Sequence, residues 1–259
     1  MTVSVGSGTI VAMRYGLDIS PAGAWGRPDE IAELSTLAED HGWDGVFCED
    51  YLAFPGGLPT YDVWVTLGLV AQATTRLTIG TMVTPLPARH PETLTLQVAS
   101  VAAVSGGRLV LGVGSGDPEG DPVIGAGSRG ERLDAGLEVV RRACPGVPVW
   151  VGGALTKPAH RARALRWDGA CLYRVPPPAW DDLTPDDVTD LRADAGRRPG
   201  EAPYVVAVGG RERREDLVAE RRYVASLADA GADWWHEYVP PRLDRAEARR
   251  RIVAGPVRA

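Results

Sequence analysis

Short apolar runs alternate along the chain with stretches whose apolar residues recur every three to four positions, the two spacings of strands and amphipathic helices. Residues 14–19 (RYGLDI) read as a strand. Pro28, Asp29 and Glu30 then open a helix that carries Ile31, Leu34, Leu37 and Ala38 on one face and stops at Gly42. The couplet repeats. Further strands are predicted over 44–49, 77–83, 108–113, 147–151, 170–175, 204–208 and 233–238. Helices fall between and after them, over 61–73, 91–105, 131–142, 158–167, from Thr184 past Leu191, over 217–230, and from Asp244 to Val253. Thr184-Pro185-Asp186-Asp187 has the form of a capping box with proline at the first helical position. Strands that alternate with helices pair in parallel through right-handed crossovers, and eight such couplets predict a closed (β/α)8 TIM barrel. The rival, an open doubly wound sheet, calls for a nucleotide fingerprint after the first strand. Residues 20–26 (SPAGAWG) contain no G-x-G-x-x-G.

Composition narrows the classes. The chain has 259 residues, 44% of them hydrophobic and 24% charged, which excludes collagen-like, disordered and coiled-coil readings. A net charge of -6 gives no basic field for nucleic acid or an anionic membrane. Lys157 is the single lysine, so the basic residues are otherwise arginine. Cys48, Cys144 and Cys171 are odd in number and widely spaced, which argues against a disulfide scaffold or zinc ribbon. Residues 1–12 read as an extension without the basic start of a secretory signal, and residues 13–259 as one domain. With no apolar run of membrane-spanning length, a cytoplasmic protein is expected, without nucleic-acid or membrane partners.

In such a barrel, chemistry sits where the strands end. Those ends read Asp18-Ile19-Ser20, Glu49-Asp50-Tyr51, Thr84-Pro85-Leu86, Gly114-Ser115-Gly116-Asp117, Gly152-Gly153, Tyr173-Arg174, Gly209-Gly210-Arg211 and His236-Glu237. Glycine lets a ligand approach the backbone. The amides of Gly152, Gly153 and Ala154 are a candidate phosphate cradle, with a tight strand-to-helix turn as the alternative. Glu49 and Asp50 are adjacent, and side chains alternate along a strand, so at most one is expected to face the mouth. By the same alternation, Glu237 facing the mouth would put His236 into the barrel wall. His41, His90 and His160 read as structural or solvated, the four histidines lack metal-ligand spacing, and no metal site is expected.

Several stretches resemble the bacterial-luciferase-like family of flavin- or deazaflavin-dependent oxidoreductases. They are residues 40–47 (DHGWDGVF), 75–86 (TRLTIGTMVTPL), Arg89-His90-Pro91, 105–114 (SGGRLVLGVG) and 149–153 (VWVGG). Later stretches of the same pattern are Arg166-Trp167-Asp168-Gly169-Ala170, Leu183 to Asp187, and Ala230-Gly231-Ala232-Asp233-Trp234-Trp235. The resemblance runs from Met13 to Pro256. It implies a TIM barrel that binds FMN or a deazaflavin coenzyme (F420) at its mouth, for oxidoreductase or monooxygenase chemistry on a small organic substrate. A homodimer is implied, with a flavin reductase as supplier of reduced cofactor. Position by position, the resemblance places Asp18, Thr81, Gly114 and Ser115 toward the ring or ribityl chain, with Asp50 a further cofactor-binding candidate. It places Gly152, Gly153 and Tyr173 near the phosphate, and a non-proline cis peptide at Met82–Val83. Asp117 matches an acidic proton donor of some deazaflavin relatives, and Tyr51 and Glu237 complete the candidate catalytic set.

Two departures qualify the resemblance. Many members carry histidine where Tyr51 stands, and tyrosine, with an ordinary pKa near 10, is a poor base at neutral pH. The stretch from Arg142 to Val147 is short where members carry an insertion expected to run over the mouth, so the chain reads as a compact variant. These departures motivate an alternative, a non-catalytic flavin-binding or subunit paralogue. A third reading, a phosphate-binding aldolase or isomerase barrel, would rest on Lys157.

Overall fold

The computed structural model describes residues 12–174, 182–197 and 203–259. Among these residues nine parallel strands form one sheet: β1 (Arg14–Ile19), β2 (Gly45–Cys48), β3 (Thr78–Thr81), β4 (Thr84–Pro85), β5 (Leu109–Gly114), β6 (Val149–Ala154), β7 (Gly169–Tyr173), β8 (Val205–Arg211) and β9 (Trp234–Val239). β1 pairs with β9, and Ile79 and Gly80 of β3 pair with Leu109 and Val110 of β5, so the sheet closes on itself. β3 and β4 share one position in the wall; β4 continues beside β5 through Thr84 opposite Val113. The result is the expected eight-position barrel.

Among the described residues eight α-helices surround it: α1 (Pro28–Asp40), α2 (Val63–Ala73), α3 (Pro91–Val104), α4 (Arg129–Ala143), α5 (Pro158–Ala164), α6 (Pro185–Ala195), α7 (Leu217–Asp229) and α8 (Arg245–Val253). Side-chain caps move some boundaries. Asp62 accepts the amides of Trp64 and Val65, so α2 starts later than its apolar pattern. Ser128 and Glu131 form a capping box that starts α4 earlier. The box at Thr184 and Asp187 is present as expected. β6 runs through Gly152 and Gly153 instead of turning there, and β8 runs on to Arg211 through a bulge. Val175, Pro176, Pro177, Pro178 and the extension up to residue 11 lie outside the described residues.

Apolar side chains fill two layers. Outward residues such as Leu17, Ile79, Leu111, Val151 and Trp235 pack under the helices. Inward residues Phe47, Val110, Trp150, Ala207 and Trp234 fill the barrel. Phe47 stacks on Trp150 at 5.5 Å between centroids and meets Trp234 edge-on at 5.5 Å. Glycines on neighbouring strands make room for these rings. A Cβ on Gly80 would lie 2.9 Å from Phe47, one on Gly169 2.7 Å from Trp150, and one on Gly16 2.8 Å from His236. The barrel is therefore plugged with aromatic rings, and any open volume must lie above them, at the carboxyl ends of the strands.

The strands are all parallel, so helix-to-strand connections lie at the opposite end. The link from Ala143 to Val149 is one of these. The short stretch over 142–147 thus leaves the mouth unchanged, contrary to the expectation that its brevity would open the site. The loop at the mouth on that side follows β5.

Candidate active site

A cavity of about 800 Å³ opens at the carboxyl ends of the strands. On one flank stand the ends of β1, β2 and the loop after β5, with Asp18, Glu49, Asp50, Tyr51, Asp117, Glu119 and Asp121. On the other stand Gly152 and Gly153 of β6, Cys171 to Tyr173 of β7, and Ala207 to Gly210. Met82, Val83, Gly114 and Ser115 lie between the flanks, and the Met82–Val83 peptide is cis, at the step the resemblance implied. Val83 explains two glycines: a Cβ on Gly114 would lie 2.8 Å from its Cγ2, and one on Gly152 3.2 Å from its Cγ1.

The structure gathers most of the candidate residues. Asp18, Asp50, Tyr51, Met82, Val83, Gly114, Ser115, Asp117, Gly152, Gly153 and Tyr173 all line this cavity. Two candidates stand elsewhere. Thr81 is fully buried on the outward side of β3, and its hydroxyl donates to the Gly112 carbonyl at 2.7 Å. Glu237 is outward on β9, fully buried, and accepts from Arg213 Nε at 2.6 Å. Burial pushes the Glu237 carboxyl up, against the pull of Arg213.

The alternation on β9 is therefore opposite to the one expected: Trp234, His236 and Tyr238 point inward. His236 rests in the space left by Gly16, and its Nδ1 lies 2.8 Å from Asp18 Oδ1. Its Nε2 is buried and has no partner among the described residues. His236 is a site residue that sequence reasoning missed. The readable signal was the aromatic–x–aromatic–x–aromatic run beside a strand whose facing residue is glycine.

Both Glu49 and Asp50 line the cavity, contrary to the expectation of one. β2 ends at Cys48, so both residues lie beyond the strand and its alternation. Burial raises the Glu49 carboxyl to about 7; bonds from Ser20 and Tyr238 oppose the shift, and the negative charge of Asp18 adds to it. Asp50 is raised to about 6 by burial, against an ion pair with Arg89. Tyr51 packs edge-on against Phe54 at 4.9 Å, and burial together with Glu49 moves its hydroxyl well above the usual tyrosine range. Asp117 is exposed, and its Oδ1 already accepts the Glu119 amide at 3.0 Å while its own amide donates to Asp121.

The candidate phosphate cradle is narrower than expected. The Ala154 amide donates to His160 Nδ1 at 3.0 Å, so it is already taken. That bond fixes Nδ1 as the unprotonated nitrogen. The His160 pKa is lowered by burial, with Lys157 and Arg163 adding to the effect. Gly153 has φ 146°, and a Cβ there would lie 2.6 Å from the same ring. Lys157 is exposed at the start of α5, outside the cavity, and gives no support to a Schiff-base reading. His90 pairs with Glu92 on the surface. Among the described residues no group of His, Cys, Asp and Glu could hold a metal ion, and no helix is long and apolar enough to cross a membrane.

Fold and site define a (β/α)8 barrel with an enzyme-like, ligand-sized cavity at the carboxyl ends of its strands. The sequence profile described as luciferase-like monooxygenase matches residues 7–144, more than half of the chain, and the chain belongs to that family. It is 31% identical over 163 residues to an F420-dependent glucose-6-phosphate dehydrogenase of Nakamurella multipartita, covering 58% of this chain and 44% of that one. The chain spans less than half the length of the curated dehydrogenases of this name that it matches. In fold it is similar to the coenzyme F420 dependent tetrahydromethanopterin reductase from Methanopyrus kandleri, with a TM-score of 0.67, 15% identity, and coverage of 94% of this chain and 97% of that one. It is also similar to monooxygenase RslO1 from Streptomyces bottropensis, with a TM-score of 0.66, 20% identity, and coverage of 93% and 96%.

Proposed function

We propose that the chain is an oxidoreductase that holds FMN or coenzyme F420 across the barrel mouth and acts there on a small organic substrate. The observation that carries this reading is the cavity, whose volume suits a cofactor head group and whose floor is a dry aromatic plug. Its residues fit a planar ring: backbone-rich walls on both sides, and an unpartnered His236 Nε2 that a ligand would satisfy. Met82, Val83, Gly114 and Ser115 would hold one side of the ring, and Gly152, Gly153 and Tyr173 the other, with the phosphate toward this glycine flank. When bound, the group supplies hydride or oxygen chemistry. The chain orients it, excludes water beneath it through Phe47 and Trp150, and presents Tyr51 and Asp117 from the acidic flank.

The names of the curated relatives make F420 the first cofactor to test. With FMN, a separate flavin reductase would supply the reduced form. The cavity carries six carboxylates and, among the described lining residues, no Lys or Arg. Asp50 is paired with Arg89 and Glu49 is part-protonated near neutral pH, but the field of the other four opposes a second phosphorylated ligand, so a neutral or amine-bearing substrate fits better than a sugar phosphate. The reading of a non-catalytic subunit loses one of its two motives, because the shortened stretch lies at the far end of the barrel, and rests on Tyr51 alone.

Titration of the purified chain with F420 and, separately, with FMN tests the proposal through cofactor fluorescence and absorbance. Saturable binding at micromolar concentration or below is expected for one of them; failure with both overturns it.

A further inference from the structure

Two hydroxyls and a carboxyl form a line beside the cavity that the proposed cofactor residues leave unused. Ser20, at the carboxyl end of β1, is fully buried. Its Oγ is hydrogen-bonded to Glu49 Oε2 and lies 3.0 Å from the Tyr238 hydroxyl. Glu49, just past the end of β2, and Tyr238, on β9, line the cavity, whereas Ser20 does not. A buried hydroxyl thus bridges two groups that face the same ligand space.

Counting hydrogens fixes the direction of the bonds. Ser20 has one hydroxyl hydrogen, and an ionised carboxylate can only accept. While Glu49 is ionised, Ser20 donates to it, and the Tyr238 O–H is shared between the Ser20 oxygen and the Glu49 carboxylate. Once Glu49 is protonated, its O–H donates to Ser20, Ser20 donates to the Tyr238 oxygen, and the Tyr238 hydrogen is freed for the cavity. The line is reversible, and its direction is set by a single proton.

We propose that Glu49, Ser20 and Tyr238 form a proton relay that serves whatever ligand occupies the cavity. In the forward direction Tyr238 gives its hydroxyl proton to a ligand oxygen or nitrogen that has become basic. The Ser20 hydrogen passes to the Tyr238 oxygen, and the Glu49 carboxyl hydrogen passes to the Ser20 oxygen. Three O–H bonds break, three bonds to hydrogen form, no electrons change hands, and the net result is one proton moved from Glu49 to the ligand. Solvent then reprotonates Glu49, and the reverse sequence removes a proton from a ligand hydroxyl.

The surroundings suit this role. Glu49 faces Asp18 on β1, Tyr238 on β9, and Cys48, Asp50 and Tyr51 on its own segment. Burial and the charge of Asp18 bring its carboxyl to about 7, so both of its states are populated near neutral pH. Burial and the charge of Glu49 push Tyr238 far above the usual tyrosine range, so it gives up a proton only as another arrives. Tyr51 is held protonated by the same causes, with Asp117 and Asp121 adding to them. No basic side chain is among the groups that shift Glu49.

The ligand's identity rests on the function proposed above, but the relay can be read in the cofactor-free chain. Carbon-13 is placed at Glu Cδ and Tyr Cζ, and NMR spectra are followed from pH 5 to 9. Glu49→Gln and Tyr238→Phe assign the two signals. The relay requires the Glu49 and Tyr238 signals to move with one shared midpoint near pH 7, and Tyr238 to become flat in Glu49→Gln. In Ser20→Ala, Glu49 should still titrate while Tyr238 loses most of its response. A Glu49 signal that does not titrate in this range overturns the proposal, as does a Tyr238 signal that is flat in the wild type or unchanged in Ser20→Ala. Should Ser20→Ala fail to fold, the wild type and Glu49→Gln still decide it. Cofactor titration fails or succeeds separately, so the two proposals fall separately.

Discussion

Single side chains at the mouth are set by which neighbours leave room and which withhold water. Gly16 lacks the Cβ that would collide with His236, and that gap lets the imidazole turn inward to Asp18 and sends Glu237 outward to Arg213. Parity on β9 was not legible from the β9 sequence alone, because its deciding residue lies on another strand. Glu49 and Asp50 have a thermodynamic consequence. Both carboxyls sit higher in the folded chain, at about 7 and about 6, than in an unfolded one. The folded state therefore binds more protons through this interval, and the stability each contributes is full below its unfolded pKa and is lost as pH rises through its folded one. Carboxyls with lowered pKa, such as Glu39 and Asp134, act with the opposite sign at lower pH. Glu49→Gln should remove part of the falling limb between about pH 4.5 and 7. Urea denaturation at a series of pH values checks this; an unchanged difference between wild type and variant across the interval would contradict it.

At the level of elements, one device begins three strands. Asp44, Asp168 and Asp233 immediately precede β2, β7 and β9. Each carboxylate accepts the amide of a residue on the preceding strand: Tyr15 at 2.8 Å, Val149 at 2.8 Å and Val206 at 2.7 Å. Each aspartate amide returns a bond to the carbonyl of that same residue. Arg108 does comparable work from the start of β5, donating to carbonyls of Ala71, Thr74, Leu77 and Ser105. These residues belong to the stretches that carry the family resemblance, and they lie at the end of the barrel away from the cavity. That location explains what could be read from the sequence. Strand starts and barrel closure depend on local motifs, so the order and type of the elements were legible, while ends such as those of β6 and β8 were displaced by a few residues. The site depends on residues past the strand ends, such as Glu49, and on contacts between distant segments, such as Ser20 with Tyr238, which no local pattern encodes. Asp233→Ala should leave the buried Val206 amide without its acceptor and Arg192 without its carboxylate, costing about 1–3 kcal/mol in urea unfolding. Asp233→Asn, which keeps an acceptor oxygen, should cost less. Asp29→Ala, at an exposed pair with Arg27, should leave stability nearly unchanged. An Asp233→Ala loss no larger than that of Asp29→Ala would refute the structural role.

Across the whole molecule, the apolar residues that burial does not account for are unevenly spread. α2 and α3 pack side by side, and together they expose Val65 (59%), Leu69 (41%), Leu96 (71%) and Val104 (48%). α2 is apolar nearly all round, VWVTLGLVAQA, a pattern that one barrel wall cannot fully bury. A second copy of the chain, meeting these helices with its own about a two-fold axis, would cover the same patch on both partners. Such a homodimer is the assembly proposed here, and it leaves the cavity open because the helices flank the barrel while the cavity lies at its end. Sedimentation equilibrium of the wild type should therefore give twice the chain mass. Aspartate at Val65 and Leu96 together places like charges face to face across the axis in an apolar contact, which should shift the assembly to monomer. The same change at Val218 on α7, 58% exposed but away from this face, should leave the mass unaltered. A wild type that sediments as a monomer, or a double variant that remains dimeric, would exclude this interface.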